Sequence, residues 1–453
     1  MSVRGLKDWQ PKIGEEDCAA AAERALVIAE RLKNPVLIEQ AIANSRSQSR
    51  YFFWNDYGFA SGLAGLALLW AHLDRCYPDS GWDNLAHRSL SKALKDLEST
   101  RYASPSLFGG LAGIGFSAQY AAAREAARYS GLLKKIDNYI NVLVAPSIAF
   151  FRRPEPVFGV PVQLFDLISG LSGVTIYFLS RYGSSHEVDE AVRSLLGCFV
   201  QLATERNGIP AWHTPKALLN QHDTMTELFP DGHLNCGLAH GIPGPLGAMA
   251  VAKLSGVHIP GVEEAIECLA SWLLHHRNDD SWGMNWPMGV PLVPKGDRIK
   301  VASPLDARPS HAGWCYGSPG ITRSIFLSGL ALKRSDLCEA ALRSIEAVVR
   351  RPEEVRTLYS PTFCHGVAGL LQIVLRFFND APSESLASEF RHLFSVLMKY
   401  YDPSSPLGYQ SKSPEGEGVD SPALLDGAAG IALALLSVRR DIEPAWDRAF
   451  LLS

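Results

Sequence analysis

The sequence has only a small excess of negative charge and no long hydrophobic run. Its 453 residues include 43 lysines and arginines against 47 aspartates and glutamates, and no five basic residues are consecutive. Because nucleic acids and anionic lipid surfaces are recognised by clustered positive charge, we expect no nucleic-acid partner and no binding to a membrane surface. The longest apolar runs, residues 62–70 and 430–436, fall far short of the roughly 20 residues that span a bilayer.

An export signal and a disulfide framework are also missing. Residues 1–16 are polar and lack the apolar segment of a secretory signal, so we expect a cytoplasmic protein. Eight cysteines are too few for a disulfide scaffold in a chain of this length, and a special cysteine in a reducing compartment is more often a metal ligand or a nucleophile. Five lie in apolar helical patterns and are expected to pack as small hydrophobic residues: Cys18, Cys76, Cys198, Cys268 and Cys338.

Glycine, in contrast, is plentiful and regularly placed. The chain has 38 glycines, and some of them form Gly-x-x-Gly pairs that are each followed by an apolar run. The pairs recur at intervals of roughly 50 to 75 residues, which fit one helical hairpin with its loops, and this predicts a repeat architecture. The seven pairs are Gly62/Gly65, Gly110/Gly113, Gly170/Gly173, Gly241/Gly244, Gly317/Gly320, Gly366/Gly369 and Gly427/Gly430.

Two kinds of helical segment alternate along the chain. The segments after the glycine pairs are apolar on nearly every face, as in residues 66–70, 174–179, 370–375 and 431–436. Amphipathic segments lie between them, at residues 186–203, 262–275, 336–350 and 383–400. Helices that are apolar all round are buried, so we predict an all-α fold, an α/α toroid in which seven helical hairpins form an inner and an outer ring. A linear helical solenoid is the alternative, but its inner helices would line a groove rather than be apolar throughout.

Two irregular insertions interrupt the longest intervals between the pairs. Residues 207–235 and 277–312 are rich in proline, glycine, tryptophan and aspartate, and we expect both to lie over the glycine-rich end of the ring. Within the second, the alternation at residues 291–301 predicts a short hairpin. We predict that residues 1–453 form a single domain and that Asp17 caps the first helix.

Aligning the repeats on their first glycine places three metal-binding side chains at one level. Cys315 and Cys364 stand two residues before this glycine in neighbouring repeats, and His365 follows directly. Two thiolates and one imidazole suit Zn²⁺, and three protein ligands leave a fourth position for water or substrate. We therefore predict a catalytic zinc site. The alternative is two buried cysteines and a helix-capping histidine.

Three further side chains are candidates for catalysis. His240 occupies the same level in the preceding repeat and suits proton transfer, although a lone buried histidine can also be structural. Tyr316 either donates a hydrogen bond to the same space or packs as an aromatic residue. Asp166 precedes the third glycine pair, and it is either an acid/base or orienting group or a helix cap.

These motifs resemble the lanthipeptide cyclases of the LanC family. The resemblance rests on Trp-Cys-Tyr-Gly at residues 314–317, Phe-Cys-His-Gly at 363–366, Leu-Ala-His-Gly-Ile-Pro-Gly at 238–244 and the glycine pairs. It covers residues from about 57 to 438 and implies an α/α toroid with one zinc ion. It also implies an enzyme that adds cysteine thiols of a ribosomal precursor peptide to dehydroalanine and dehydrobutyrine, which forms lanthionine and methyllanthionine thioether rings.

The resemblance also carries expectations for individual residues and partners. It implies that Cys315, Cys364 and His365 bind zinc, and that His240, Asp166 and Tyr316 lie where the family has its site groups. The expected partners are the dehydrated precursor peptide with its leader, a dehydratase and an export transporter.

One departure from the family pattern concerns an arginine. The family commonly has arginine four residues before the first zinc cysteine, where this chain has His311, with Arg308 slightly earlier. Either residue is a candidate replacement. Two other readings remain open: another toroidal enzyme, such as a zinc prenyltransferase or a glycoside hydrolase, and a non-catalytic zinc protein that binds glutathione or peptide thiols.

Overall fold

The protein is mainly helical. The computed structural model describes residues 6–50, 52–100, 102–123, 125, 127–219, 224–296, 298–303 and 310–453. Its α-helices are α1 Glu15–Leu32, α2 Pro35–Gln48, α3 Leu63–Cys76, α4 Trp82–Glu98, α5 Leu111–Ala121, α6 Ser130–Phe151, α7 Val162–Phe165, α8 Leu171–Arg181, α9 His186–Leu202, α10 Thr224–Leu228, α11 Pro243–Leu254, α12 Val262–His275, α13 Ser318–Leu332, α14 Ser335–Arg350, α15 Glu353–Arg356, α16 Val367–Asp380, α17 Glu384–Lys399 and α18 Ala428–Leu436. No helix in these described ranges is both long and apolar enough to cross a membrane.

Short strands occur in three small antiparallel sheets. They are β1 Glu205–Arg206, β2 Ile209–Pro210, β3 Thr214–Pro215, β4 Gly232–Asn235, β5 Gly289–Lys295, β6 Arg298–Val301, β7 Ser411–Lys412 and β8 Gly418–Val419. The largest sheet has the order β3-β4-β5-β6, so it draws its strands from both predicted insertions. Strands β5 and β6 pair from Leu292 with Val301 to Lys295 with Arg298, which confirms the predicted hairpin.

The chain divides into two compact units. The central unit contains Asn138–Val355 and Leu451–Ser453, and the terminal unit contains Lys7–Asp137 and Arg356–Phe450. In the central unit, α11 packs against α8 and α13, while α9, α12 and α14 pack on the outside of these three helices. In the terminal unit, α18 packs against α16 and α3, α3 packs against α5, and α4, α17 and α1 form the outer layer. Each unit thus shows the predicted alternation of buried and half-buried helices.

The glycine pairs allow the starts of the inner helices to approach their neighbours. A Cβ atom on Gly113 would lie 2.5 Å from Cβ of Phe59, a residue of the neighbouring repeat, and would overlap a carbonyl oxygen of its own turn. A Cβ atom on Gly320 would lie 2.9 Å from Cβ of Leu238. Real Cβ atoms do not come this close to other atoms, so the second glycine of these pairs is required by packing.

Main-chain hydrogen bonds link the segments that precede the glycine pairs. In the terminal unit, the carbonyl of Leu425 accepts from the amides of Phe363 and Cys364, and Leu425 N donates to Ala60 O. In the central unit, Ala239 N donates to the carbonyl of Cys315 at 3.1 Å, and Leu167 N donates to Ala239 O. We call these bonds the backbone girdle. The girdle attaches both cysteines that are predicted to bind metal to neighbouring repeats through their main chain.

Two local predictions are wrong. Asp17 does not cap α1, since the N-cap is Gly14, and Asp17 lies in the first turn, where its charge favours the positive end of the helix dipole. Cys268 is exposed rather than packed in a core, because it lies on the outer face of α12. Cys76 and Cys198 are buried as predicted, and burial raises the pKa of each thiol to about 12.

Candidate metal centre and proton-transfer site

Asp166 and His240 form a close pair in the central unit. Nδ1 of His240 lies 2.6 Å from Oδ2 of Asp166, whose side chain is fully buried, whereas that of His240 is 38% exposed. Oδ1 of Asp166 accepts from the amides of Ser169 at 2.8 Å and Gly170 at 2.6 Å. One carboxylate oxygen of Asp166 thus holds the turn before α8, while the other contacts the imidazole.

This pair determines which nitrogen of His240 can exchange a proton. A carboxylate oxygen accepts hydrogen bonds, so Nδ1 of His240 carries its hydrogen towards Asp166. The other ring nitrogen, Nε2, is then the one that takes up or releases a proton. The negative charge of Asp166 also stabilises the protonated imidazole. This arrangement suits a general acid or base.

Tyr316 lies beside His240, and both residues line one cavity. Their ring centroids are 6.2 Å apart, and the Tyr316 hydroxyl accepts a hydrogen bond from Nδ2 of Asn235 at 3.1 Å. The cavity has a volume of about 330 Å³ and is also lined by apolar side chains such as Met225 and Met288. The central unit therefore presents an imidazole and a phenol to a space that can hold an apolar group.

Cys315 lies directly before Tyr316 and is almost fully buried. Nε2 of His311 is 3.8 Å from the Cys315 sulfur, so His311 reaches this thiol from the position where the family commonly has arginine. Arg308, the other candidate replacement, lies outside the described residues. The structure therefore places one of the two candidates beside the predicted metal ligand.

Cys364 and His365 occupy the equivalent turn in the terminal unit. Nδ1 of His365 is 3.7 Å from Oδ1 of Asp426, and the ring of Tyr359 packs 5.4 Å from the imidazole. A cavity of about 510 Å³ adjoins His365 and is lined by Phe52 and the strongly exposed Phe53. The lining also includes the charged residues Lys412, Glu415 and Glu417, so this cavity is mixed in polarity.

The three predicted ligands are two cysteines and one histidine. Cys315 belongs to the central unit, and Cys364 and His365 belong to the terminal unit. A soft set of two thiolates and one imidazole fits Zn²⁺ better than Mg²⁺ or Ca²⁺, which prefer oxygen ligands. The residues that sequence reasoning selected as ligands are therefore a chemically suitable set.

Sequence reasoning missed Asn235. This residue is buried and lines the same cavity as His240 and Tyr316. It stands six residues before Gly241, and serine occupies the corresponding place before Gly110 and Gly366. Extending the alignment of the repeats by four residues would have revealed a polar side chain at this level.

Comparisons with known proteins agree with the fold. Residues 53–451 match the family described as lanthionine synthetase C-like protein. The nisin biosynthesis protein NisC of Lactococcus lactis subsp. lactis is 24% identical over 424 residues, which cover 92% of this chain and 94% of that protein. A solved structure of a nisin cyclase has a TM-score of 0.73 at 23% identity and covers 92% of this chain and 96% of its own. The predicted α/α-toroid fold class is thereby confirmed, and the chain belongs to the lanthionine synthetase C-like family.

Proposed function

We propose that this protein is a lanthionine synthetase C-type cyclase that forms thioether rings in a modified precursor peptide. The observation that carries the proposal is the family match over residues 53–451, combined with the Asp166–His240 pair of the central unit. The resemblance of the Trp-Cys-Tyr-Gly and Phe-Cys-His-Gly motifs points to the same reaction. The relative NisC is named for nisin biosynthesis, which supports a precursor peptide as the substrate class.

The reaction joins a cysteine thiol to a dehydrated serine or threonine. We propose that Cys315, Cys364 and His365 hold one zinc ion, supported by their matching positions before the glycine pairs and by the preference of Zn²⁺ for thiolate and imidazole ligands. Bound zinc supplies a thiolate at neutral pH, because coordination removes the proton from a thiol that is otherwise mostly protonated. The two protein thiolates and the neutral imidazole would hold the ion and would leave a fourth ligand position open to a thiol.

His240 is the proton carrier in this scheme. The substrate sulfur bonds to the β-carbon, the π electrons of the double bond move towards the carbonyl to form an enolate, and the α-carbon must then gain a proton. Nε2 of His240 receives the proton that the thiol loses and delivers it to the α-carbon, so no proton is gained or lost overall. Asp166 holds the imidazole in the required tautomer and stabilises its charged form.

Tyr316 stabilises the enolate in this scheme. Its hydroxyl lines the same cavity as His240, and a phenol O–H can donate to an oxygen on which negative charge develops. The apolar side chains of this cavity and of the cavity beside His365 offer space for peptide residues that flank the reacting cysteine. The space in these two cavities favours a longer peptide over a small thiol such as glutathione as the substrate.

The partners and the location belong to the same proposal. The double bonds must be made before this reaction, so a dehydratase precedes the cyclase, and the leader of the precursor and an export transporter complete the expected set. A ribosomal peptide is made in the cytoplasm, and we place the cyclase there.

The test uses a peptide with one dehydroalanine and one cysteine. Ring closure leaves the mass unchanged but removes the free thiol, so alkylation followed by mass spectrometry measures the reaction. We expect the wild-type protein to abolish alkylation, and C364A to lose both zinc and activity. The matched control is C268A, because Cys268 is exposed on an outer helix and its loss should change neither. A zinc-loaded wild-type protein that leaves the thiol free would refute the proposal and favour a non-catalytic zinc protein.

A further inference from the structure

We infer that Asn235 is a positioning residue that directs the hydroxyl hydrogen of Tyr316 into the cavity it shares with His240. This inference rests on the proposed function, since it explains how Tyr316 would be prepared to donate to an enolate. It stands on contacts within the central unit alone.

The first step concerns the orientation of the Asn235 amide. Oδ1 of Asn235 accepts a hydrogen bond from the amide of Gly237 at 2.9 Å, and an N–H donor requires the oxygen at that place. The amide nitrogen, Nδ2, is therefore the atom that faces Tyr316. It donates to the phenol oxygen at 3.1 Å.

The second step concerns the hydrogen of the phenol. Because Nδ2 of Asn235 donates, the Tyr316 oxygen acts as the acceptor in this contact, and its own hydrogen points away from the amide. A phenol that receives a hydrogen bond is also a stronger donor, since hydrogen bonds in a chain polarise one another. Asn235 thus fixes the direction of the O–H and strengthens it as a donor.

Gly237 adds a steric constraint on the same ring. A Cβ atom at this position would lie 2.5 Å from Cε1 of Tyr316 and 2.8 Å from the carbonyl oxygen of Cys315. The tyrosine ring therefore packs directly against the main chain of residue 237, where no side chain could fit. Ala239 completes the support through its hydrogen bond to the Cys315 carbonyl. The segment from 235 to 239 holds Tyr316 by its hydroxyl, its ring and its preceding peptide.

The location of Asn235 separates this role from that of a generic buried residue. Asn235 ends strand β4, which pairs with β5, so its main chain is held independently of its side chain. The Asn235 carbonyl also accepts from the amide of Ile242. Replacing the side-chain amide by an isosteric carboxylate should thus leave the fold in place while reversing the contact, because a carboxylate accepts from the phenol O–H.

The kinetic test is a double-mutant cycle with N235D and Y316F on the dehydrated peptide. We expect Y316F to lower kcat by about 100-fold, the effect of removing one donor to a developing oxyanion. N235D should lower kcat at least about 10-fold with little change in KM. In the Y316F protein, the same substitution should lower kcat by less than about a further twofold. Thermal unfolding and zinc content serve as controls. Effects that multiply would overturn the inference, because Asn235 would then act independently of Tyr316.

A second measurement is independent of turnover. In the whole protein labelled with [¹³Cζ]tyrosine, the resonance absent from Y316F identifies Tyr316. We expect N235D to shift this resonance more than that of any other tyrosine, since the phenol changes from acceptor to donor. An unmoved resonance would overturn the inference even in a protein that forms thioethers. A shifted resonance in a protein without cyclase activity would support the inference about orientation while refuting the proposed function.

Discussion

Replacing Asp166 by asparagine is the sharpest test of the proton-transfer pair. Asparagine keeps the size of the side chain, and its amide oxygen can still accept from Ser169 and Gly170, as Oδ1 of Asp166 does. The atom that faces Nδ1 of His240 becomes an NH₂ group, which is a donor. The substitution therefore favours the tautomer with hydrogen on Nε2 and removes the charge that stabilises the protonated imidazole.

The expected loss of rate follows from the strength of the bond. A hydrogen bond to a charged group contributes about 1.5–3 kcal/mol. At about 1.4 kcal/mol for each factor of ten, losing this contribution in the transition state lowers kcat by about 10- to 150-fold. An imidazole fixed in the wrong tautomer raises the loss towards about 10⁴-fold. We therefore expect D166N to reduce kcat by at least about 10-fold.

The assay is the alkylation measurement on the dehydrated peptide, followed over time at saturating substrate. Zinc content and thermal unfolding should match those of the wild type, because Asp166 is not a proposed ligand and its bonds to Ser169 and Gly170 persist. D166A provides the contrast, since it leaves those two amides without their acceptor and should cost about 1–3 kcal/mol of stability for each. A D166N protein with normal zinc and a kcat within threefold of wild type would refute the role of the pair.

Three further predictions concern packing, pH and thiol reactivity. G113A should destabilise the fold by about 1–3 kcal/mol or more in chemical denaturation, because its Cβ would overlap atoms of a neighbouring repeat. G197A, at an open position within α9, should instead stabilise it by up to about 1 kcal/mol, and equal effects would contradict the packing argument. Burial lowers the pKa of His72 from 6.5 to about 3, so the unfolded chain binds a proton that the folded state does not, and stability should fall by up to about 1.4 kcal/mol per pH unit below pH 6.5. H72Q should show less of this loss in denaturant titrations at pH 7 and pH 5, and an identical pH dependence would show that the residue does not titrate as inferred. At pH 8 an alkylating reagent should label the exposed Cys268 faster than the buried Cys236. Burial raises the pKa of Cys236 to about 12, so this thiol should react only on unfolding, and its labelling in the native protein as fast as that of Cys268 would refute its burial.

The fold could be predicted from the sequence because the hydrophobic pattern of its helices repeats regularly. Inner helices are apolar on every face and outer helices on one face, and the glycine pairs mark where each inner helix begins. The outer segments predicted at residues 262–275 and 186–203 match α12 and α9 to within one residue. Helix caps were harder to predict, since several polar residues near Gly14 compete for that role and only the backbone conformation decides among them.

The site was accessible only in part. Alignment of the repeats selected Cys315, Cys364 and His365 because each repeat places the same backbone position at the same level, and their role as ligands stays a prediction. Asn235 was missed because its importance depends on the direction of an amide, which no spacing encodes. The prediction of a single domain also stays a prediction.

The backbone girdle indicates that the protein can fold before it binds the proposed metal ion. Main-chain hydrogen bonds hold the peptides of Cys315 and Cys364 in their respective units, so neither cysteine depends on an ion for its backbone position. In small zinc domains the metal supplies much of the folding free energy, and chelators unfold them. Here the inner helices of each unit already bury an apolar core, and a chelator should remove the proposed zinc ion without melting the helices. Loss of the metal would then be a reversible loss of catalytic activity, and the same folded protein could release and bind zinc repeatedly.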